Sequence, residues 1–168
     1  MFDVWRPYAK SRLEAAAAYF SRSAAQWDRI RSLHVDDSHV EQAMLEAVGQ
    51  KSVEDLLDLG TGTGPVQQVF SAHIQYGLGI DLSREMLAVA RANLDELSLR
   101  HCQVRYGDIY ALPLPSGVMD VVTIPQALHY LDHPGTVIFE AARTLRPGGQ
   151  FLVVDFSPHD FEFLRTDN

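Results

Sequence analysis

The chain has 168 residues, a formal net charge of -8, 46% hydrophobic residues and 21% charged ones. That length and balance suit one soluble domain with a core of ordinary size. The acidic excess argues against a nucleic-acid partner, which requires a basic face. The single cysteine, Cys102, excludes an internal disulfide and a cysteine-built zinc site, and reads as a small buried apolar residue in a reducing cytoplasm. No apolar run approaches the ~18 residues that span a bilayer, so no membrane partner is expected. Ala15 to Phe20 is too short and too closely flanked by charge for a signal peptide.

Leu13, Ala17, Phe20, Ala24, Trp27 and Ile30 recur at spacings of four and three, the apolar face of one long helix. Phe20 and Trp27 either pack this helix into the core or make it a lid over a ligand pocket. A second helix is expected from the capping box Ser38-x-x-Glu41, with Val40, Met44, Leu45 and Val48 on its apolar face and Gly49 as its stop. The chain then alternates. Strands are predicted at 53–59, 76–82, 103–106, 118–124 and 150–156. Helices are predicted after Pro65, after Ser83 (Leu87, Ala90, Leu94, Leu97) and after Pro134 (Ile138, Ala141, Leu145). Five nearly continuous apolar strands separated by helices argue for a doubly wound parallel sheet, the α/β class. Residues 1–49 form a helical cap in this reading, and residues 50–168 form the sheet domain.

The chain is organised around Leu56-Leu57-Asp58-Leu59-Gly60-Thr61-Gly62-Thr63-Gly64, a strand running into three alternating glycines before a helix. In an open α/β sheet a ligand binds beyond the carboxyl ends of the strands, at the point where strand order reverses. Asp58 precedes the glycines, Asp81 ends the second strand and Asp108 ends the third. An acid about 20 residues past the first glycine is placed to accept ribose hydroxyls. Dinucleotides favour GxGxxG, whereas the spacing here is Gly60-x-Gly62-x-x-Pro65, and Asp58 suits a pyrophosphate poorly. Both points weigh against NAD and flavin nucleotides, so a nicotinamide-dependent oxidoreductase is the least favoured reading. The three acids suit a cationic ligand without phosphate.

Asp58-x-Gly60-x-Gly62-x-Gly64 resembles motif I of the class I S-adenosylmethionine-dependent methyltransferases. The resemblance continues through Gly79-Ile80-Asp81-Leu82-Ser83-x-x-Met86-Leu87, Gly107-Asp108, Asp120-Val121-Val122 and Leu145-Arg146-Pro147-Gly148-Gly149. It covers residues 50 to 157, with the motifs in family order. Ala18-Tyr19-Phe20, Trp27-Asp28-Arg29, Gly107-Asp108-Ile109-Tyr110-Ala111-Leu112-Pro113 and Leu128-His129-Tyr130-Leu131 are similar to the enzyme portion of bacterial fusions with an arsenic-repressor-type winged helix. The resemblance implies a Rossmann-like fold and S-adenosylmethionine as cofactor. Gly60, Thr61 and Gly62 would meet its methionine and ribose portions, and Asp58 would help hold the turn and the amino group. Asp81 would take the ribose hydroxyls, with Leu82 and Met86 against the adenine. Asp108 would accept from the adenine amino group, and the N–H of Ile109 would donate to the ring. Pro125 and Gln126 would face the methionine end.

In-line methyl transfer needs little acid–base help, because positioning alone supplies roughly 7–11 kcal/mol of such a barrier. No catalytic residue is therefore assigned. His129 and His133 at i, i+4 are not read as metal ligands, because Pro134 breaks the pattern, and no metal is expected. Family members usually carry a polar residue where Pro125 stands. Their sheet has seven strands, whereas this chain ends soon after its fifth, so the final strand pair is expected to be missing. That leaves a sheet edge able to pair in a homodimer. The expected function is methyl transfer to a small-molecule acceptor. The alternative is a non-catalytic cofactor-sensing or dimerisation module.

Overall fold

A computed structural model describes residues 19, 20, 22–27, 37–49 and 52–155. Among these residues there are five strands, β1 (Val53–Leu59), β2 (Ile74–Asp81), β3 (Cys102–Tyr106), β4 (Met119–Pro125) and β5 (Leu145–Val154). Residues 19, 20, 22 and 23 are helical, and the α-helices bounded at both ends are α1 (Asp37–Val48), α2 (Pro65–Phe70), α3 (Arg84–Glu96) and α4 (Pro134–Thr144). The sheet order is β3-β2-β1-β4-β5, and every pairing is parallel. The chain winds outward from β1 through β2 to β3, then returns to lay β4 on the other side of β1. The crossover rule for parallel sheets makes the β1–β4 boundary the switch point.

Both faces of the sheet are covered, which explains why its strands are apolar on both sides. On one face Leu56, Val104 and Val121 pack with Met44 and Val48 of α1, Phe70 of α2, and Leu87 and Ala90 of α3. On the other face Leu57, Leu59, Leu78, Ile80, Val122 and Ile124 pack with Val137 and Ala141 of α4. The register of β4 against β5 shifts between Met119 and Val121. The extra residues lie in β5, where Leu145 to Gln150 spans five positions against two in β4; beside this irregularity Met119 joins the α4-side core and Val121 the opposite one.

Several expected boundaries move. β2 begins two residues earlier than predicted, and Pro125 belongs to β4 instead of following it. β5 starts at Leu145, directly from the end of α4, and takes in the Pro147-Gly148-Gly149 stretch that reads as a turn. The buried stripe of α4 is Val137, Ala141 and Thr144, while Ile138 is exposed. The i, i+4, i+7 spacing of that stripe differs from the predicted one because Leu145 has already left the helix. Leu97 caps α3 and is exposed. α1 already includes Asp37, so Ser38 lies inside its first turn and not at its cap. Of the predicted N-terminal helix, Ala24–Gln26 is a tighter 3-10 turn, and the part before Tyr19 and after Trp27 lies outside the described residues.

At the amino ends of the strands a charged network ties three of them together. Arg146 of β5 pairs with Asp55 of β1 and Asp120 of β4, each at 2.7 Å. Asp120 also accepts from the backbone N–H groups of Glu54 (2.9 Å) and Asp55 (3.0 Å). Burial alone would raise its pKa, but the hydrogen bonds from Arg146, Asp55 and Glu54 outweigh that and hold it below the ordinary value. Cys102 at the start of β3 is buried, and desolvation pushes its thiol up to about 11.

Candidate functional site

The glycine turn is shaped from beneath by β2. The N–H groups of Gly60 (2.8 Å) and Thr61 (3.2 Å) both donate to the carbonyl of Ile80, folding the turn back over the end of that strand. Gly60, Gly62 and Gly64 have φ of +72°, +54° and +82°. A side chain is strained in that left-handed region, so the alternation of glycines follows from the backbone path. A Cβ on Gly60 would also stand 3.0 Å from the Cβ of Ala127, in the segment after β4. β2 in turn needs Gly79, because a Cβ there would lie 2.6 Å from Thr61 Oγ1 and collide with the Gln67 amide. Gln67 is fully buried and spans the strand to give its Nε2–H to the Gln103 carbonyl at 3.1 Å. Its role was not legible in the sequence, where it is one polar residue among helix formers.

Asp81 ends β2 directly below the turn. Its Oδ2 accepts from the N–H of Gly62 and its Oδ1 from the N–H of Ser83, both at 2.8 Å. Ser83 caps α3 by accepting from the N–H of Met86 at 3.2 Å. The carboxylate is thus fixed by the start of one helix and the turn before another. Desolvation by burial raises its pKa, and the N–H groups of Ser83, Gly62 and Leu82 only partly offset this. Each oxygen of a carboxylate has two acceptor positions, so the Asp81 carboxylate keeps accepting capacity beyond these backbone donors, and it lines the cleft.

A cleft of about 240 Å³ opens over this carboxylate at the switch point. Of the residues expected from the sequence, Gly60, Thr61, Gly62, Asp81, Leu82, Met86, Ile109 and Pro125 all line it. Two are placed elsewhere. Asp58 is fully buried within the sheet, where its Oδ1 accepts from the Thr123 hydroxyl at 2.7 Å across the β1–β4 boundary. Asp108 is exposed beyond β3, and its Oδ1 accepts from the N–H of Tyr110 at 2.9 Å. Asp58 ties β1 to the Thr123 side chain of β4 and Asp108 holds the backbone after β3; neither is part of the cleft wall.

The cleft also gathers residues that the sequence did not single out as ligand contacts. Val40, Glu41 and Met44 of α1 form one wall, and Tyr130, Leu131 and Val154 another. Phe20 and Trp27 line the same space and meet Tyr130 through Phe20, so the two readings of those residues, packing and lid, merge. Gln126, with φ of +51°, donates its N–H to the Val154 carbonyl at 2.6 Å. His129 pairs through Nδ1 with Asp155 at 2.7 Å, and its backbone N–H donates to the same carboxylate at 3.2 Å. The segment after β4 is therefore pinned to the end of β5.

These features define a doubly wound α/β protein with its ligand cleft at the switch point. Residues 57–153 match the family model for a methyltransferase domain, and the chain belongs to the class I S-adenosylmethionine-dependent methyltransferases, whose cofactor is S-adenosylmethionine. The methyltransferase YcgJ of Bacillus subtilis (strain 168) is 30% identical over 118 residues, 70% of this chain and 47% of its own length. Its crystal structure superposes with a TM-score of 0.69 at 28% identity, covering 76% of this chain and 54% of that one. An S-adenosylmethionine-dependent methyltransferase from Mesorhizobium loti gives a TM-score of 0.59 at 30% identity, over 71% of this chain and 53% of that one. The ubiquinone/menaquinone biosynthesis C-methyltransferase UbiE of Roseobacter denitrificans is 30% identical over 144 residues, 82% of this chain and 57% of its own length. The chain spans about half the length of the curated relatives it matches. Among the described residues no helix is long and apolar enough to cross a membrane.

Proposed function

We propose that the chain transfers a methyl group from S-adenosylmethionine to a small-molecule acceptor by in-line displacement. The observation that carries this reading is Asp81, a carboxylate that lines the cleft, is fixed by the N–H groups of Gly62 and Ser83, and keeps accepting capacity beyond them. That arrangement fits the two hydroxyls of a ribose, and a charge-assisted hydrogen bond of this kind contributes roughly 1.5–3 kcal/mol. Leu82, Met86 and Ile109 would flank the adenine. Gly60, Thr61 and Gly62 would take the methionine portion against bare backbone, with Pro125 and Gln126 at its far end. Asp58 would act through the Thr123 side chain it holds across β1 and β4, and Asp108 through the backbone of Tyr110. When bound, the cofactor supplies an electrophilic methyl on a sulfonium. The task left to the chain is to orient an acceptor in line with it and to exclude water.

An acceptor of small size is supported by the largely apolar cleft of about 240 Å³ and by relatives that include a ubiquinone/menaquinone biosynthesis C-methyltransferase. Residues 1–49 are the cap that brings Phe20, Trp27 and α1 over the cleft in this reading. Calorimetric titration with S-adenosylhomocysteine tests the proposal. Binding at or below millimolar ligand is expected, with at least tenfold weakening in Asp81→Ala; no binding at millimolar ligand would sink it. A second reading, a cofactor-sensing or dimerising module without turnover, draws support from β5, which stands at the sheet edge with Val153 exposed. It predicts binding without methyl transfer to any acceptor in a mixed metabolite extract, and a dimer in sedimentation.

A further inference from the structure

β4 ends at Pro125, and the chain leaves the sheet at Gln126. That residue has a φ of +51°, in the left-handed region that side chains other than those of asparagine and aspartate enter at a cost. Two contacts impose the conformation. The Gln126 N–H donates to the Val154 carbonyl of β5 at 2.6 Å, and the next residue, Ala127, lies against Gly60 of the glycine turn. Strained residues over-determined by their surroundings in this way cluster at ligand sites. Gln126 lines the cleft and is half-buried, and its carboxamide has no hydrogen-bond partner among the described residues. A carboxamide offers one accepting oxygen and two N–H donors, and leaving such groups unpaired away from water is costly.

The lining contributed by this segment and its partner strand is uncharged. Pro125, Gln126, Ala127, Leu131 and Val154 are neutral residues, and burial first, then the charges of Tyr19 and Asp155, raise the pKa of the Tyr130 phenol. Asp155 itself pairs with His129. The charged side chains that line the cleft among the described residues are Glu41, Asp81 and Glu85, carried by α1, β2 and α3. All three are carboxylates, so the cleft disfavours an anionic acceptor, and a cationic one meets no opposite charge on the wall that Gln126 belongs to. We propose that Gln126 is a specificity-determining residue that holds an uncharged hydroxyl or carbonyl group of the methyl acceptor. A hydroxyl would donate to Oε1, and a carbonyl would accept from Nε2–H. The proposal rests on the methyl-transfer reading given above and names the acceptor class within it.

The test uses the full chain and S-adenosylmethionine carrying a radiolabelled methyl group. A small-metabolite extract is first separated by ion exchange near neutral pH into anionic, cationic and uncharged fractions, and each is offered as acceptor to wild type, Gln126→Leu and Gln126→Gly. The leucine keeps the size without the amide, and the glycine takes the left-handed backbone without strain. Label is expected to enter the uncharged fraction. With that fraction limiting, both variants should transfer about three- to tenfold more slowly, the loss of one neutral hydrogen bond. The KM for S-adenosylmethionine should move by no more than about twofold, since the lost contact is to the acceptor. Label entering only a charged fraction would overturn the proposal, as would variants that match wild type on the uncharged one. A KM for S-adenosylmethionine that rises as much as transfer falls would assign Gln126 to the cofactor and overturn it too. If wild type labels nothing, the proposal falls together with the transfer reading, and titration with S-adenosylhomocysteine then shows whether the cofactor site stands. Should Gln126→Leu not fold, Gln126→Gly gives the same decision.

Discussion

The two ends of the parallel sheet use the same group in opposite ways. Asp120 at the amino end and Asp81 at the carboxyl end each accept two backbone N–H groups, at 2.8 to 3.0 Å. Asp120 also has Arg146 at 2.7 Å, and its pKa is lowered; Asp81 has no such cation among the described residues, and its pKa is raised. A guanidinium completes the first carboxylate and makes it a strut across β1, β4 and β5. The second is equally well held by its backbone but keeps acceptor positions toward a cleft. A carboxylate that is rigidly placed, partly desolvated and incompletely paired is a group prepared for a ligand. Identical side chains thus become a strut at one end and part of a cleft wall at the other, and the arginine marks the difference.

The largest effect that would break this comparison is on binding. Asp81→Ala should weaken S-adenosylhomocysteine at least tenfold, about 1.4 kcal/mol or more, while the urea unfolding midpoint moves little. Next, Gly79→Ala should destabilise the chain by about 1–3 kcal/mol through overpacking, because the new Cβ meets Thr61 and Gln67. Since both neighbours support the glycine turn, affinity should fall with stability in a combined melting and calorimetry experiment. Asp120→Asn should cost about 1–2 kcal/mol in urea unfolding, from weakened charge-assisted hydrogen bonds, with affinity in the folded protein unchanged.

Acidification should separate the two ends. The lowered pKa of Asp120 means its stabilising contribution is present above the unfolded carboxylate value and is lost as pH falls through its folded value. Asp81 has the opposite sign. Its raised pKa favours the folded state fully below the unfolded value, and that contribution is lost as pH rises through the folded one. Ribose hydroxyls donate to the ionised form, so affinity should fall on acidification while Asp120 is still charged and the fold intact. Calorimetry and circular dichroism across the same pH series would display that order. The smallest effect concerns Cys102, near the closed end, whose thiol is pushed up to about 11. A thiol reagent at mildly alkaline pH should label it at the rate of global unfolding, with or without ligand.

The architecture was legible because its signals are local. Near-continuous apolar runs such as Leu56-Leu57 and Val121-Val122 mark strands buried on both faces, and Pro65, Ser83 and Pro134 mark helix starts. Asp81 was legible from its distance to the glycines. The placement of Asp58 was not, because its partner Thr123 is 65 residues away and becomes adjacent only when β1 and β4 pair. The same holds for Phe20 and Tyr130, which meet across the whole sheet domain. The face of α4 was misread because Leu145, counted as its last apolar residue, begins β5. Periodicity identifies an element from its own residues, whereas the assignment of an aspartate to strut or ligand depends on which distant residue arrives beside it.

The most direct measurement is calorimetric titration of wild type and Asp81→Asn with S-adenosylhomocysteine near neutral pH, in parallel with Asp120→Asn. The asparagine keeps the size of the side chain, removes its charge and replaces one accepting oxygen by an NH2 donor. The account predicts at least a tenfold loss of affinity for Asp81→Asn and none for Asp120→Asn. Equal affinity for Asp81→Asn and wild type would contradict it.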